Sequence, residues 1–320
     1  MKKIKEEKKS AKRLKHSLII LSGCKKTVNF PAHSVVSPDF HYNEAMSSRK
    51  HKFHRLELYR LAVQNPQIEV QFFQEAYLHY RNDKKSKLLR EDFCGTAAVS
   101  LAWVQENPSH KAYAVDKDFS TLNYGRNYCK KQLSYREKKR LHFYHDLVQD
   151  VKTPKVDIIV AQNFSCFEFH KRKQLLKYFK TVLSSLKDDG LFIMDAYGGP
   201  GAMKVCTQRM EIKPDATEGI ENFDYFWEQK SYDVLSARTK CSIHFLLDDE
   251  ARMNDAFVYD WRLWTIPELK ECLLEAGFGK VEIWCDPYDE EKGYSTGIYE
   301  PIKKMPQRED WVVYIIGISL

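Results

Sequence analysis

No apolar run of about 18 residues occurs in this 320-residue chain, so the sequence predicts no transmembrane helix. It also lacks any Cys-x-x-Cys pair and any histidine cluster at metal-ligand spacing. Its eight cysteines are scattered. That pattern excludes a zinc site or a disulfide framework and predicts reduced thiols in the cytoplasm. Excess charge is missing from most of the chain as well. The formal net charge is +7, yet residues 1–55 hold 14 Lys/Arg against 4 Asp/Glu and the remainder holds 37 against 40. The body is therefore near neutral, and nothing in it requires a nucleic-acid substrate.

What is present begins with the basic segment. Residues 1–52 read as a solvated, disordered extension, with electrostatic attachment to nucleic acid or an anionic membrane as the functional alternative. Leu21-Ser22-Gly23-Cys24 follows a short apolar run and has the pattern of a lipoprotein cleavage site, but the run is shorter than a signal peptide needs. Residues 53–85 carry helical periodicity interrupted at Pro66, with a second helix expected around Val70 to Tyr80.

The stretch Leu88 to Ala98, LLREDFCGTAA, organises the rest. It reads as a strand ending at Glu91 and Asp92, a turn at Cys94-Gly95-Thr96 and a helix entry. A strand that stops before a helix N-terminus leaves backbone N–H groups facing a crevice, and Gly95 lets a ligand approach the backbone. A second strand ends at Asp116, where a carboxylate has two oxygens for the paired hydroxyls of a ribose. A third strand, Leu141 to Tyr144, precedes His145-Asp146-Leu147. Val156 to Ala161 is apolar throughout, as a strand buried on both faces should be, and opens into Gln162-Asn163-Phe164. An amphipathic helix over 171–187 and a strand over Leu191 to Met194 lead to Asp195 and Tyr197. Residues 200–262 break this rhythm. Phe223 to Tyr232, Ala237 to Leu247 and Ala256 to Trp264 predict three antiparallel strands, whose Tyr225, Trp227, His244, Arg262 and Trp264 are candidates for one aromatic and basic pocket. Thr265-Ile266-Pro267-Glu268 is a capping box opening a helix that Gly277 closes. Strands over Val281 to Cys285 and Trp311 to Ile318 finish the chain, joined by a polar loop containing Pro287, Pro301 and Pro306.

Cys94-Gly95-Thr96, with Glu91 ahead of it, resembles the first motif of class I S-adenosylmethionine-dependent methyltransferases, usually acidic-x-G-C-G-T-G. Phe93 and Ala97 stand where that motif has its first and third glycines. The order helix, Asp-Gly, strand at 171–194 and the ending of helix and two strands resemble the same family. The combination of R-E-D-F-C-G-T-A with F-x-Y-D-W-R-L-W-T-x-P-E-L is similar to a broadly annotated bacterial group within it. The resemblance implies an α/β, Rossmann-like sheet of seven strands with an antiparallel last strand, formed by 86–199 and 263–320. It implies a helical lid over 53–85, with Tyr59 and Arg60 as lid residues, and a small antiparallel β insertion over 200–262 above the active site. It implies S-adenosyl-L-methionine as cofactor, held by Glu91, Phe93, Cys94, Gly95 and Thr96 at the methionine end. Asp116 and Lys117 then meet the ribose, Asp146 and Leu147 the adenine, and Gln162, Asn163 and Phe164 line the space between cofactor and acceptor. Asp195, Tyr197 and His244 are the candidates for a general base or for orienting the acceptor, and Tyr225, Trp227 and Arg262 for binding it. No metal is expected.

The near-neutral body and the aromatic insertion favour a small-molecule acceptor. An N/D-P-P-[YFW] tetrapeptide, usual in methyltransferases of nucleic-acid bases, is absent after the fourth strand. Three other readings stay open at this point: an RNA methyltransferase reaching its substrate through the basic segment, a non-catalytic scaffold of the same fold, and a nicotinamide oxidoreductase, which would need the absent G-x-G-x-x-G. The sequence does not name the acceptor or fix an oligomeric state.

Overall fold

A computed structural model describes residues 53–82, 85–247, 251–286, 288–289, 294–295 and 298–319. The basic extension with Cys24, and Pro287, lie outside the described residues. Two helices lead: α1 (Arg55–Val63) and α2 (Pro66–Arg81). Pro66, expected as an interruption, instead opens α2, where its missing N–H has no partner to lose. Strand and helix then alternate through β1 (Leu88–Asp92), α3 (Ala98–Glu106), β2 (Lys111–Asp116), α4 (Phe119–Gln132), the short α5 (Tyr135–Lys138), β3 (Leu141–His145), β4 (Val156–Ala161), α6 (Arg172–Ser185) and β5 (Leu186–Gly198).

The insertion follows as β6 (Cys206–Ile212), β7 (Phe223–Asp233), β8 (Arg238–Leu247) and β9 (Arg252–Arg262), one antiparallel sheet in that order. It has four strands, not the expected three. The chain returns through α7 (Ile266–Ala276), whose capping box between Thr265 and Glu268 forms as read. It ends with β10 (Lys280–Cys285), the small ladder of β11 (Tyr288–Asp289) and β12 (Tyr294–Ser295), then β13 (Glu300–Ile302) and β14 (Trp311–Ile318). No helix among the described residues is long and apolar enough to cross a membrane.

The large sheet runs β13-β10-β14-β5-β4-β1-β2-β3. Strands β1 to β5 pair in parallel, and β14 enters antiparallel between β5 and β10. The seven expected strands are all present, and β13 adds an eighth at the edge. Apolar side chains cover both faces, so β4 is buried along its whole length. On β1 the two-residue period separates neighbouring acids. Leu89 and Glu91 face α2 and α3, whereas Arg90 and Asp92 face α6. There the Arg90 guanidinium and the Asp92 carboxylate pair at 2.8 Å, both wholly buried, and the Tyr178 hydroxyl donates to Asp92 at 2.9 Å. Asp92 is thereby committed to holding β1 against α6.

Candidate active site

The crevice lies where β1, β2, β4 and β5 end. After Asp92 the backbone curls through three left-handed positions, Phe93 (φ 54°), Gly95 (φ 52°) and Ala97 (φ 59°). These are the positions where the sequence aligns two substituted glycines and one kept. The conformation has survived the loss of two glycines, at roughly 1–2 kcal/mol of backbone strain per residue. The Phe93 ring turns to Phe169 and Tyr178, leaving only its backbone to the crevice. At Gly95 an added Cβ would meet nothing closer than Thr121 Cγ2 at 3.8 Å, so the approach to its backbone is open. Glu91 accepts the Ser100 amide at 2.7 Å, fixing the start of α3 to the strand end. Burial pushes the Glu91 carboxyl up to about 7.

Asp116 holds this turn. One oxygen accepts the Gly95 amide at 2.7 Å, and the other accepts the Asp118 amide at 2.8 Å. Its backbone carbonyl takes the Asp146 amide at 3.1 Å, which brings the β3 end alongside. The neighbouring Lys117 pairs with Glu168 across the crevice. Asp146 and Leu147 are exposed beside it, and Phe119, packed on His145 at 5.3 Å, shows 59% of its surface. Two exposed apolar side chains, Phe119 and Leu147, thus flank an acidic rim, the setting for a flat ring with a polar edge. Phe119 was not singled out in the sequence.

At the ends of β4 and β5, Asn163 (φ 57°) and Phe164 (φ 61°) are again left-handed. Asp195 holds them: its two oxygens accept the Asn163 and Phe164 amides at 2.9 and 2.8 Å. Burial pushes the Asp195 carboxyl up to about 7, against those same hydrogen bonds. Gln162 is buried, and its Nε2 has no partner. Tyr197 is fully buried among Phe164, Phe167 and Trp261.

The five residues expected to share one pocket in the insertion do not form a single one. Tyr225 and Trp227 lie on the sheet's inner face, toward Tyr197 and Trp261. His244 lies on the other face, because side chains along β8 alternate and Cys241, Ile243 and Phe245 take the inner positions. Its Nδ1 accepts the Asp255 amide at 2.9 Å, which leaves Nε2 as the protonated nitrogen, 3.0 Å from Glu228. A metal would need the lone pair that Nε2 then lacks, and the Lys230 ammonium already sits on Asp255 at 2.5 Å. Glu228, His244 and Asp255 form a hydrogen-bonded network on the outer face. Arg262 stacks on Trp264 and bonds the His170 carbonyl and Glu268, each at 3.1 Å, while Trp264 donates to the Phe169 carbonyl. Both fasten β9 to the loop after β4 and to α7.

Helix α1 spans from the core to the insertion. Arg60 pairs with Glu218 at 2.6 Å and lies over Tyr128, Tyr59 packs on Phe257, and Arg55 donates to the Ala256 carbonyl. From α2 comes a residue the sequence reading passed over. Glu69 is 7% exposed, and its Oε2 has no partner. Burial, with Glu91 and Asp195 nearby, raises its carboxyl to about 8. Gly125 on α4 was passed over too. A Cβ there would stand 2.5 Å from the Thr96 carbonyl oxygen, so the helix and the turn touch backbone to backbone.

No protein-family model and no curated protein matches this sequence. Solved structures do match its fold. An S-adenosylmethionine-dependent methyltransferase from Clostridium acetobutylicum is 17% identical with a TM-score of 0.58, over 83% of this chain and 98% of that one. Streptomyces venezuelae DesVI gives 12% and 0.60, over 82% and 95%. CalS10, an amino pentose methyltransferase from Micromonospora echinaspora, gives 10% and 0.59, over 85% and 99%. With the strand order, the antiparallel β14 and the turn after β1, these likenesses show that the chain has the class I S-adenosylmethionine-dependent methyltransferase fold.

Proposed function

We propose that this protein binds S-adenosylmethionine and transfers its methyl group to a small-molecule acceptor. The observation that carries the reading is the turn after β1, kept in the glycine conformation at Phe93, Gly95 and Ala97 and locked to the Asp116 carboxylate. Glu91 and the backbone of 93–96 would hold the methionine end, Asp116 with Lys117 the ribose, and Asp146, Leu147 and Phe119 the adenine. Gln162, Asn163 and Phe164 would separate cofactor from acceptor. The unpaired Gln162 Nε2 fits such a ligand, since a buried donor without a partner is costly.

Bound there, S-adenosylmethionine supplies an electrophilic methyl on a sulfonium that is already a good leaving group. The protein's part is alignment and exclusion of water. Asp195 serves it as a positioning residue, because both its oxygens fix the 163–164 backbone. Tyr197, Tyr225 and Trp227 would wall the acceptor side beneath the insertion, with α1 as the lid. His244 and Arg262 have no part, being occupied elsewhere. A small acceptor agrees with the near-neutral body, with the buried aromatic walls and with the amino pentose methyltransferase among the structural neighbours.

Thermal unfolding with S-adenosylmethionine, S-adenosylhomocysteine and NAD tests this. At 100 times its dissociation constant a ligand adds roughly 2.7 kcal/mol, a shift of a few degrees in a chain of this length. We expect a shift with both adenosyl ligands and none with NAD. The shift should be lost in Asp116→Ala and reduced in Asp146→Ala, whose side chain is exposed and whose loss should leave the fold intact. A well-folded protein that responds to neither adenosyl ligand would refute the reading.

A further inference from the structure

Three buried carboxyl groups from three elements act on one another: Glu91 from β1, Asp195 from β5 and Glu69 from α2. Their surroundings separate their roles. Glu91 is bonded to the start of α3, and Asp195 has both oxygens filled by backbone amides. Glu69 has one distant bond, from the Asn65 amide at 3.5 Å, and a buried Oε2 with no partner. The charged and titratable groups acting on Glu69, or on which it acts, are Glu91, Asp195, Tyr59, Tyr299 and Tyr314. None of them is a cation.

The tyrosines complete a cage. Tyr314 on β14 is the direct neighbour of Asp195 on β5. Tyr299 packs on Tyr314 at 4.9 Å, and Phe72, one turn along α2 from Glu69, packs on both. The Tyr299 hydroxyl, like Glu69 Oε2, is buried without a partner. A buried carboxyl oxygen near aromatic rings, with no lysine or arginine among the described residues bonded to it, suits a ligand ammonium, which pairs with the carboxylate and lies against the rings.

We propose that Glu69 is the counter-ion of an amine acceptor, holding its ammonium and receiving one of its protons. The proton that Glu69 carries in the empty site leaves to water as the ammonium binds; then one N–H bond breaks, the O–H bond forms on Oε2, and the electron pair stays on nitrogen, which is free to act as nucleophile. Helix α2 packs on β5, and β4 and β1 separate β5 from β2, the strand that ends at Asp116, so Glu69 is taken to lie away from the proposed ribose and adenine contacts. The inference rests on the methyl-transfer reading and adds the acceptor's chemical class to it.

Calorimetric titration of wild type and Glu69→Gln with S-adenosylhomocysteine and with sinefungin tests it without any acceptor. Sinefungin carries an amine where the transferable methyl stands, whereas both ligands share the α-ammonium of the amino-acid end. We expect Glu69→Gln to weaken sinefungin at least tenfold and to leave S-adenosylhomocysteine within about twofold, which also certifies the variant's fold. Equal losses for the two ligands would show Glu69 serving the cofactor's own ammonium and would overturn the proposal. So would unchanged affinity for both. Wild type that binds neither ligand would remove the methyl-transfer reading and this inference together. Glu69→Asp, keeping the charge on a shorter arm, should regain part of the sinefungin affinity.

Discussion

Glu69 makes its own energetic prediction. Folded, it keeps its proton up to about pH 8; unfolded, it releases it near 4.5. Between these values the unfolded chain binds fewer protons than the native one, so this group's contribution to stability declines as pH rises and is fully lost above about 8. Burial lowers His110 and His142 below 6.5, which acts in the opposite direction on the acid side. The difference between wild type and variant isolates the glutamate. The stability of ligand-free Glu69→Gln should fall less than that of wild type between about pH 5.5 and 8, a difference of a few kcal/mol at most, read as a smaller drop in melting temperature. An identical pH dependence in scanning calorimetry would contradict a buried, proton-bearing Glu69. In Pro66-Gln67-Ile68-Glu69-Val70 this residue reads as one polar position on an ordinary helix, because a single sequence does not reveal which polar position is covered by its tertiary neighbours. His244 shows the same limit for a strand. Its residue type suggested chemistry, and a shift of one position in the alternation placed it on the outer face.

At the scale of elements, the central strands were legible because burial on both faces leaves an uninterrupted apolar run, and β4 and β14 have the bounds that were expected. Strand β6 was not. Its sequence, CTQRMEI, lies along an edge, and its inward face of Cys206, Gln208, Met210 and Ile212 is broken by a polar residue and buries only Ile212, which leaves a weak alternation to read. The start of β5 was missed for a related reason: Asp188-Asp189-Gly190 has turn composition but continues a strand whose apolar part begins only at Leu191. The contact of α4 with the turn after β1 leads to a further expectation. Gly125→Ala would place a methyl 2.5 to 2.6 Å from the Thr96 backbone, which has no flexible end to move aside. We expect a loss of about 1–3 kcal/mol from overpacking, measurable by urea unfolding. The affinity for S-adenosylhomocysteine should fall with it, because the displaced segment is the one proposed to hold the ligand. An alanine variant with wild-type stability would show that the helix can retreat.

At the scale of the molecule, an aromatic cluster links the insertion to the α/β core, beside the contacts of α1 and of Arg262. Trp261 lies within 6.2 Å, ring centre to ring centre, of Phe164, Phe167 and Tyr197 from the core, and it packs on Trp227 and Tyr259 within the insertion. Trp261→Ala should therefore cost about 3–5 kcal/mol. If the insertion shapes the acceptor site, the variant should bind sinefungin more weakly while still binding S-adenosylhomocysteine. Equal loss of both would mean that the cluster supports the whole crevice.

The insertion also has a consequence for how such a protein can change over generations. The chain leaves the core once, after Gly198, and rejoins it once, at the capping box of α7. Everything proposed to grip the cofactor in the core lies before that exit, and β6 to β9 form a continuous cassette after it. Substitutions within 206–262, apart from Trp261 with its packing on Phe164, leave the residues of the turn at Gly95 and of the clamp at Asp195 unchanged. The part of the acceptor wall proposed for the insertion and the residues proposed to hold the methyl donor would thus be inherited on separate stretches of sequence, and a lineage could alter the first while preserving the second.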